Sequence, residues 1–278
     1  MLRILIEKDH QNTHTKISNC LCSKIPQKFT TITQDANCIL LKIGLPKSIR
    51  LNRKKKLLKL LNIAVDQTVN YTLTQATMDI TKDYASKLSN LSVADRSCVA
   101  NEAFIRITKT NQFNAQRHNK ASWYSVIKKR IMKNMLESGI FAISAFIRFR
   151  INDYKEYIGR IVEHLGKLKI NELKYLEFIS SLQCFVESRR SVIDEVTINV
   201  NEDSYSLTDS NGKAIDISKY KNMLDKDTDK EDLLMSVLLT LAPKQIILNA
   251  DESFMDSDFF ASLVNVFAGR LKASYNAK

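Results

Sequence analysis

The chain has 278 residues, 44% apolar and 26% charged, ordinary values for a globular protein with a substantial core in one large domain or two to three small ones. Six glycines and three prolines favour long helices with short connections, and there is no internal repeat or low-complexity tract. Residues 1–150 carry 26 Lys and Arg against 9 Asp and Glu, a net of +17, whereas residues 151–278 carry 16 against 21, a net of −5.

A chain with two such ends suggests a basic part that meets an acidic partner: nucleic acid, an anionic membrane surface or another protein. The five cysteines, Cys20, Cys22, Cys38, Cys98 and Cys184, are odd in number and follow no secreted-scaffold spacing, which points to reduced thiols in a cytoplasm. The apolar run at Leu2–Ile6 is too short for a signal sequence, and Ile140–Ile147 is too short to span a bilayer. No membrane insertion is expected.

Leu2–Ile6 and Cys38–Ile43 read as strands, with a short helix between them and a stop at Gly44 and Pro46. From Leu51 the pattern turns helical and runs past Val69 and Leu73 towards Tyr84. A second helix is predicted over Val93–Ile107, followed by a polar loop to His118. A third starts near Ala121, with Tyr124, Ile127, Ile131 and Leu136 at helical spacing, and breaks at Gly139. A fourth covers Phe141–Leu165 with a stop at Gly166, and a fifth covers Glu172–Glu187.

The remainder reads as α/β. Val196–Val200 alternates as a strand and pairs across a turn with Ser204–Thr208. Thr228 and Glu231 form a capping box for a helix ended by Pro243. Gln245–Leu248 is a buried strand, Phe259–Ala268 a helix capped by Gly269, and Leu271–Tyr275 a closing strand. The fold class is α+β: a small α/β unit at 1–50, a helical domain at 51–192, and a second α/β unit at 193–278.

Several segments carry a family resemblance. They are Phe146–Tyr154, Tyr175–Phe178, Cys184–Val186, Ile193–Ile198, Leu207–Ile215 with Asp209, Gly212 and Lys213, Leu238–Ile247, and Val264–Arg270. Together they resemble the YtxC-like family of sporulation proteins from endospore-forming bacteria. The resemblance covers roughly residues 120–278 and implies a cytoplasmic role connected with spore formation. It supplies no catalytic residue and no cofactor.

The best binding candidate is Phe146–Tyr154. On one helix Ile147, Ile151 and Ile158 would form an apolar stripe, with Arg150 and Asp153 paired beside it and Tyr154 alongside. Arginines next to aromatics, Arg148 and Arg150 here, hold phosphate or stack on a base. A purely structural pair is the commoner explanation, since such pairs are frequent on helices. Arg53–Lys59 and the run Lys128, Lys129, Arg130 to Lys133 could track a phosphate backbone, with Trp123 and Tyr124 placed for stacking. Solvated helix faces are the commoner explanation of such runs.

The chemistry of catalysis finds little support. His10, His14, Cys20, Cys22 and Cys38 lack two well-spaced ligand pairs for a metal. Asp225, Asp227 and Asp229 begin like a calcium loop, but Lys230 and Ser236 stand where its glycine and bidentate glutamate belong. There is no glycine-rich phosphate loop or nucleophile elbow, His118 and His164 have no partner pattern, and Asp194 and Glu195 would point to opposite faces of a strand. The expected function is non-enzymatic, with no metal or cofactor: a protein-binding or adaptor role, or alternatively nucleic-acid binding through the basic helices.

Overall fold

The computed structural model describes residues 2–7, 19, 24–35, 37–45, 52–116, 122–201, 204–217 and 229–275, the side chains of Leu2, Glu7, 111–116 and Tyr275 excepted. The chain divides into two compact units, Met1–Ile170 and Asn171–Lys278. The fold is α+β.

In the first unit, β1 (Leu2–Glu7) and β3 (Cys38–Ile43) pair antiparallel as the centre of a mixed sheet. Alternation decides which face each residue takes: Ile4, Ile6, Leu41 and Ile43 are buried while Arg3 faces out. Two further strands escape the sequence. β2 (Thr30–Gln34) is Thr-rich and nearly all exposed, an edge strand with no apolar alternation to betray it. Between β1 and β2, Asn19 and Lys24 are helical, and a 3-10 turn at Gln27–Phe29 leads into β2.

β4 (Ile140–Ala142) pairs parallel with β1 and completes the order β2-β3-β1-β4. The sheet is therefore not built from the first fifty residues alone. Phe141 was expected to open a helix. It is instead a fully buried strand residue, set off by Gly139 in the left-handed region at φ 63°.

The helices of this unit are α1 (Arg53–Tyr71), α2 (Thr77–Ser86), α3 (Val93–Gln116), α4 (Trp123–Glu137) and α5 (Ile143–Phe149). A π-helical turn at Thr72–Ala76 joins α1 to α2. Around it Thr68, Thr72 and Thr77 are buried and donate back to the carbonyls of Ala64, Thr68 and Thr72. Hydroxyls that compete for helix carbonyls favour such a bulge. α3 runs nine residues beyond Ile107, where a loop was expected. No glycine or proline interrupts the segment, so its polar residues continue the helix.

The helix α6 (Asn152–Ser188) is 37 residues long and passes from the first unit into the second. The expected stop at Gly166 is absent. A methyl group placed on Gly166 would lie 2.8 Å from Leu88, and one on Gly159 2.7 Å from the Tyr84 ring, so these glycines permit close approach within the first unit. The break falls earlier, between α5 and α6 at Arg150 and Ile151.

The second unit holds the sheet order β6-β5-β7-β8. β5 (Glu195–Asn201) pairs antiparallel with β6 (Ser204–Asp209) and parallel with β7 (Gln245–Ala250), and β7 pairs parallel with β8 (Leu271–Tyr275). Its helices are α7 (Lys230–Leu241), the single turn α8 (Glu252–Met255) and α9 (Asp258–Val266). Asp229 caps α7 by accepting from the Lys230 N–H at 2.6 Å, while Thr228 lies outside the described residues. Val196, Ile198, Val237, Leu238, Ile246, Leu248 and Leu263 form the core, closed by Ile179 and Val186 of α6. Each such side chain contributes about 1.5–3 kcal/mol when fully buried.

Candidate functional site

Ser122 caps α4, accepting from the Ser125 N–H at 3.3 Å, which fixes the rotation of the helix. Ile127, Ile131 and Met135 turn into the core, and the polar positions between them face α1 on one side and α6 on the other. On the α1 side the Tyr124 hydroxyl donates to Asp66 Oδ1 at 3.0 Å, and Lys128 Nζ lies 2.6 Å from the same oxygen. Burial, and secondarily the Asp66 charge, pushes the Tyr124 phenol up to about 12.

On the other side Arg130 forms a two-pronged pair with Asp153, Nη1 to Oδ1 at 2.7 Å and Nη2 to Oδ2 at 2.6 Å. Its Nη1 also donates to the Arg150 carbonyl at 3.2 Å. The hydrogen bonds from Arg130 hold the Asp153 carboxyl below the usual range, helped by the Tyr154 N–H. Asp153 stands in the first turn of α6, where a negative charge is favoured.

This corrects the expected pairing of Arg150 with Asp153. The chain leaves helical geometry between them, Arg150 closing α5 at φ −113°, so a spacing of three does not stack the two side chains. The stripe of Ile147, Ile151 and Ile158 is likewise split between two helices: Ile151 and Ile158 are fully buried and Ile147 is half-buried.

Tyr154 is fully buried and forms a 2.8 Å hydrogen bond with Thr77 Oγ1 beside the π turn. Its ring centroid lies 5.0 Å from that of Trp123, which also packs on Tyr157 at 5.6 Å. Trp123 packs tilted against both tyrosines, which stack on each other with centroids 6.2 Å apart. Arg148 is exposed against the Phe149 ring at 5.5 Å, and Lys129 is exposed. Arg130, Arg150, Lys133 and Glu137 line a depression of about 320 Å3. The structure thus brings Arg130, Arg150, Asp153, Tyr154 and Trp123 to one junction and leaves Arg148 and Lys129 on the surface.

The other basic run behaves differently. Lys54, Lys55, Lys56 and Lys59 of α1 are exposed and form no ion pair among the described residues, while Arg53 donates to the Leu45 carbonyl at 3.2 Å. Of the metal candidates, Cys38 is half-buried in β3, and His10, His14, Cys20 and Cys22 lie outside the described residues, as does His118. His164 is exposed, and Asp194 pairs with Lys244 at 2.6 Å. Among the described residues no group of three or more His, Cys, Asp or Glu is placed to hold a metal, and no helix is long and apolar enough to cross a membrane.

Sequence reasoning missed an exposed aromatic edge on α6. Phe178 and Phe185, seven residues apart on one face, are 60% and 42% exposed. Lys174 stands four residues before Phe178, and Arg189 reaches back over the Phe185 ring at 4.4 Å. The signal lay in the number of apolar residues. Leu173, Leu176, Phe178, Ile179, Leu182 and Phe185 go most of the way round a helix, more than one buried face can take, and the core takes Ile179, with Leu182 half-buried against it.

A family model, described as the YtxC-like family, matches residues 65–272. The chain belongs to the YtxC-like family. The match reaches back into α1 beyond the limit near residue 120 at which the motifs run out. It takes in the Arg130–Asp153 junction and the Phe178–Phe185 edge, and it leaves out β1, β2, β3 and the lysines that open α1. No curated protein and no solved structure matches the chain.

Proposed function

We propose that this YtxC-like chain is a non-enzymatic, cytoplasmic sporulation protein that works by binding another protein through the exposed edge of α6. The observation that carries the reading is the pair Phe178 and Phe185, two large aromatic rings exposed on one helix face within the residues matched by the family. Aromatic side chains anchor interfaces because they combine a large apolar area with few rotatable bonds. Lys174 and Arg189 flank the rings, so the complementary partner surface is an apolar groove with an acidic rim. The cytoplasmic setting rests on the odd, sparse cysteines and on the family resemblance, and the link to spore formation on the family resemblance alone.

A photo-crosslinking phenylalanine analogue at Phe178 tests this in sporulating cells. The expected product is a discrete crosslinked protein that is missing when the analogue replaces Glu187, nine residues on and on the opposite side of the helix. Equal labelling from both positions would count against the proposal.

A second reading, nucleic-acid binding, is supported by the lysines of α1, which form no ion pair among the described residues, rather than by α4, whose Lys128 and Arg130 are engaged with Asp66 and Asp153. It predicts affinity for duplex DNA that falls steeply with salt and falls further in a Lys54→Gln, Lys55→Gln variant. It also predicts no such loss for Lys129→Gln.

A further inference from the structure

The lysines of α1 share a cavity with lysines from outside the helix. Lys56 and Lys59 line a hollow of about 500 Å3 together with Lys24 and Lys28, which flank Pro26 just before β2. Among the described residues no acidic side chain lines it. None of the four ammonium groups has an ion-pair partner among the described residues, and Lys28 Nζ stands 5.2 Å from the centroid of the Phe29 ring. Four like charges around one concavity repel one another, and an anion seated among them removes that cost.

The character of the cations and of the wall narrows the anion. Ammonium groups are point charges with rotatable donors and lack the planar fork that reads a carboxylate in two prongs, so they suit a compact, multiply charged group such as phosphate. Between the lysines the wall is apolar, with Phe29 and Leu60, and a bare phosphate would leave it unused. The volume lies within the range of about 300–1,000 Å3 usual for small-ligand sites. The four lysines line one concavity, which suits a single small molecule better than an extended backbone tracked along a groove.

We infer that this cavity binds a small organic phosphate, in which the phosphate sits among Lys24, Lys28, Lys56 and Lys59 and an aromatic or aliphatic body lies against Phe29 and Leu60. A nucleotide and the phosphate end of a lipid share that chemistry. The site belongs to the first unit and lies outside the residues matched by the family, so it is independent of the α6 interface.

Calorimetric titration of the full chain separates the sources, with ATP, dihexanoyl phosphatidic acid and inorganic pyrophosphate as probes. The expected result is saturable binding, one per chain, of ATP or of the phosphatidic acid, roughly tenfold or more tighter than pyrophosphate, which lacks the body. Whichever of the two binds names the source. Lys56→Glu and Lys59→Glu should each weaken it by about tenfold or more. Lys54→Glu makes the same charge change on the same helix outside the lining and should weaken it less. Circular dichroism melts of the three variants, all at exposed positions, confirm that each is folded. No saturable binding of either organic phosphate would overturn the inference. So would pyrophosphate binding as tightly, Lys54→Glu weakening binding as much as Lys56→Glu, or oligothymidylate binding more tightly than ATP.

Discussion

Asp153 takes both guanidinium nitrogens of Arg130, and Tyr154 next to it turns inward to Thr77, so neighbouring residues in one motif have unrelated work. Tyr154→Phe removes a buried hydrogen bond and should cost about 1 kcal/mol. Arg150→Ala, at an exposed side chain where the hydrogen bonds are those of the backbone N–H and carbonyl, should stay within about 0.5 kcal/mol. Urea unfolding of the two variants checks the contrast. The Arg130–Asp153 pair is 37% and 48% exposed at its side chains, so its coupling in a double-mutant cycle should be modest, about 0.5–1 kcal/mol. Because its folded pKa is lowered, Asp153 stabilises the protein fully above the unfolded carboxylate value of about 3.9, and that contribution is lost as pH falls through the folded value. The stability gap between wild type and Asp153→Asn should therefore be widest near pH 6 and close as the pH drops below about 4. A gap that grows on acidification would contradict the assignment.

The elements were legible in the sequence wherever one face alternates or repeats against a core. β1, β3, β5, β6 and β8 fall where the apolar patterns put them, and so do the starts of α3 and α4. What hid were elements without that contrast: the exposed β2, the three-residue β4 and the polar end of α3. Gly166 misled for a related reason, since a glycine that ends a helix and one that lets another segment approach look alike in a single sequence. The two glycines of α6 make a test. Alanine at either gains about 1 kcal/mol of helix propensity. At Gly159 the new methyl meets the Tyr84 ring, and the net effect should be a loss of about 1–2 kcal/mol. At Gly166 it meets the end of the half-buried Leu88 side chain, which can rotate away, so the net change should be smaller than at Gly159. Thermal melts of the two variants rank them.

At the scale of the whole chain, the imbalance between a basic first part and an acidic second part was plain from composition, but its local meaning was not. Composition counts Lys128 and Arg130 together with Lys56 and Lys59. Only placement distinguishes cations held by Asp66 and Asp153 from cations gathered around a hollow. The exposed aromatics of α6 were equally hidden, because Phe178 and Ile179 look alike until the sheet of the second unit selects which one it buries. Of the binding candidates chosen from sequence, Lys128, Arg130, Asp153, Tyr154 and Trp123 are engaged within the chain, while the side chains of Arg148, Arg150 and Lys129 are exposed.

The central claim is that the protein binds another protein through the Phe178–Phe185 edge. It is tested most directly by affinity capture of the tagged full chain from sporulating cells, with and without nuclease, beside a Phe178→Ser, Phe185→Ser variant shown to melt like wild type. The account predicts a protein partner that survives nuclease with wild type and is lost with the variant. Identical recovery by both chains, or recovery that disappears with nuclease, would contradict it.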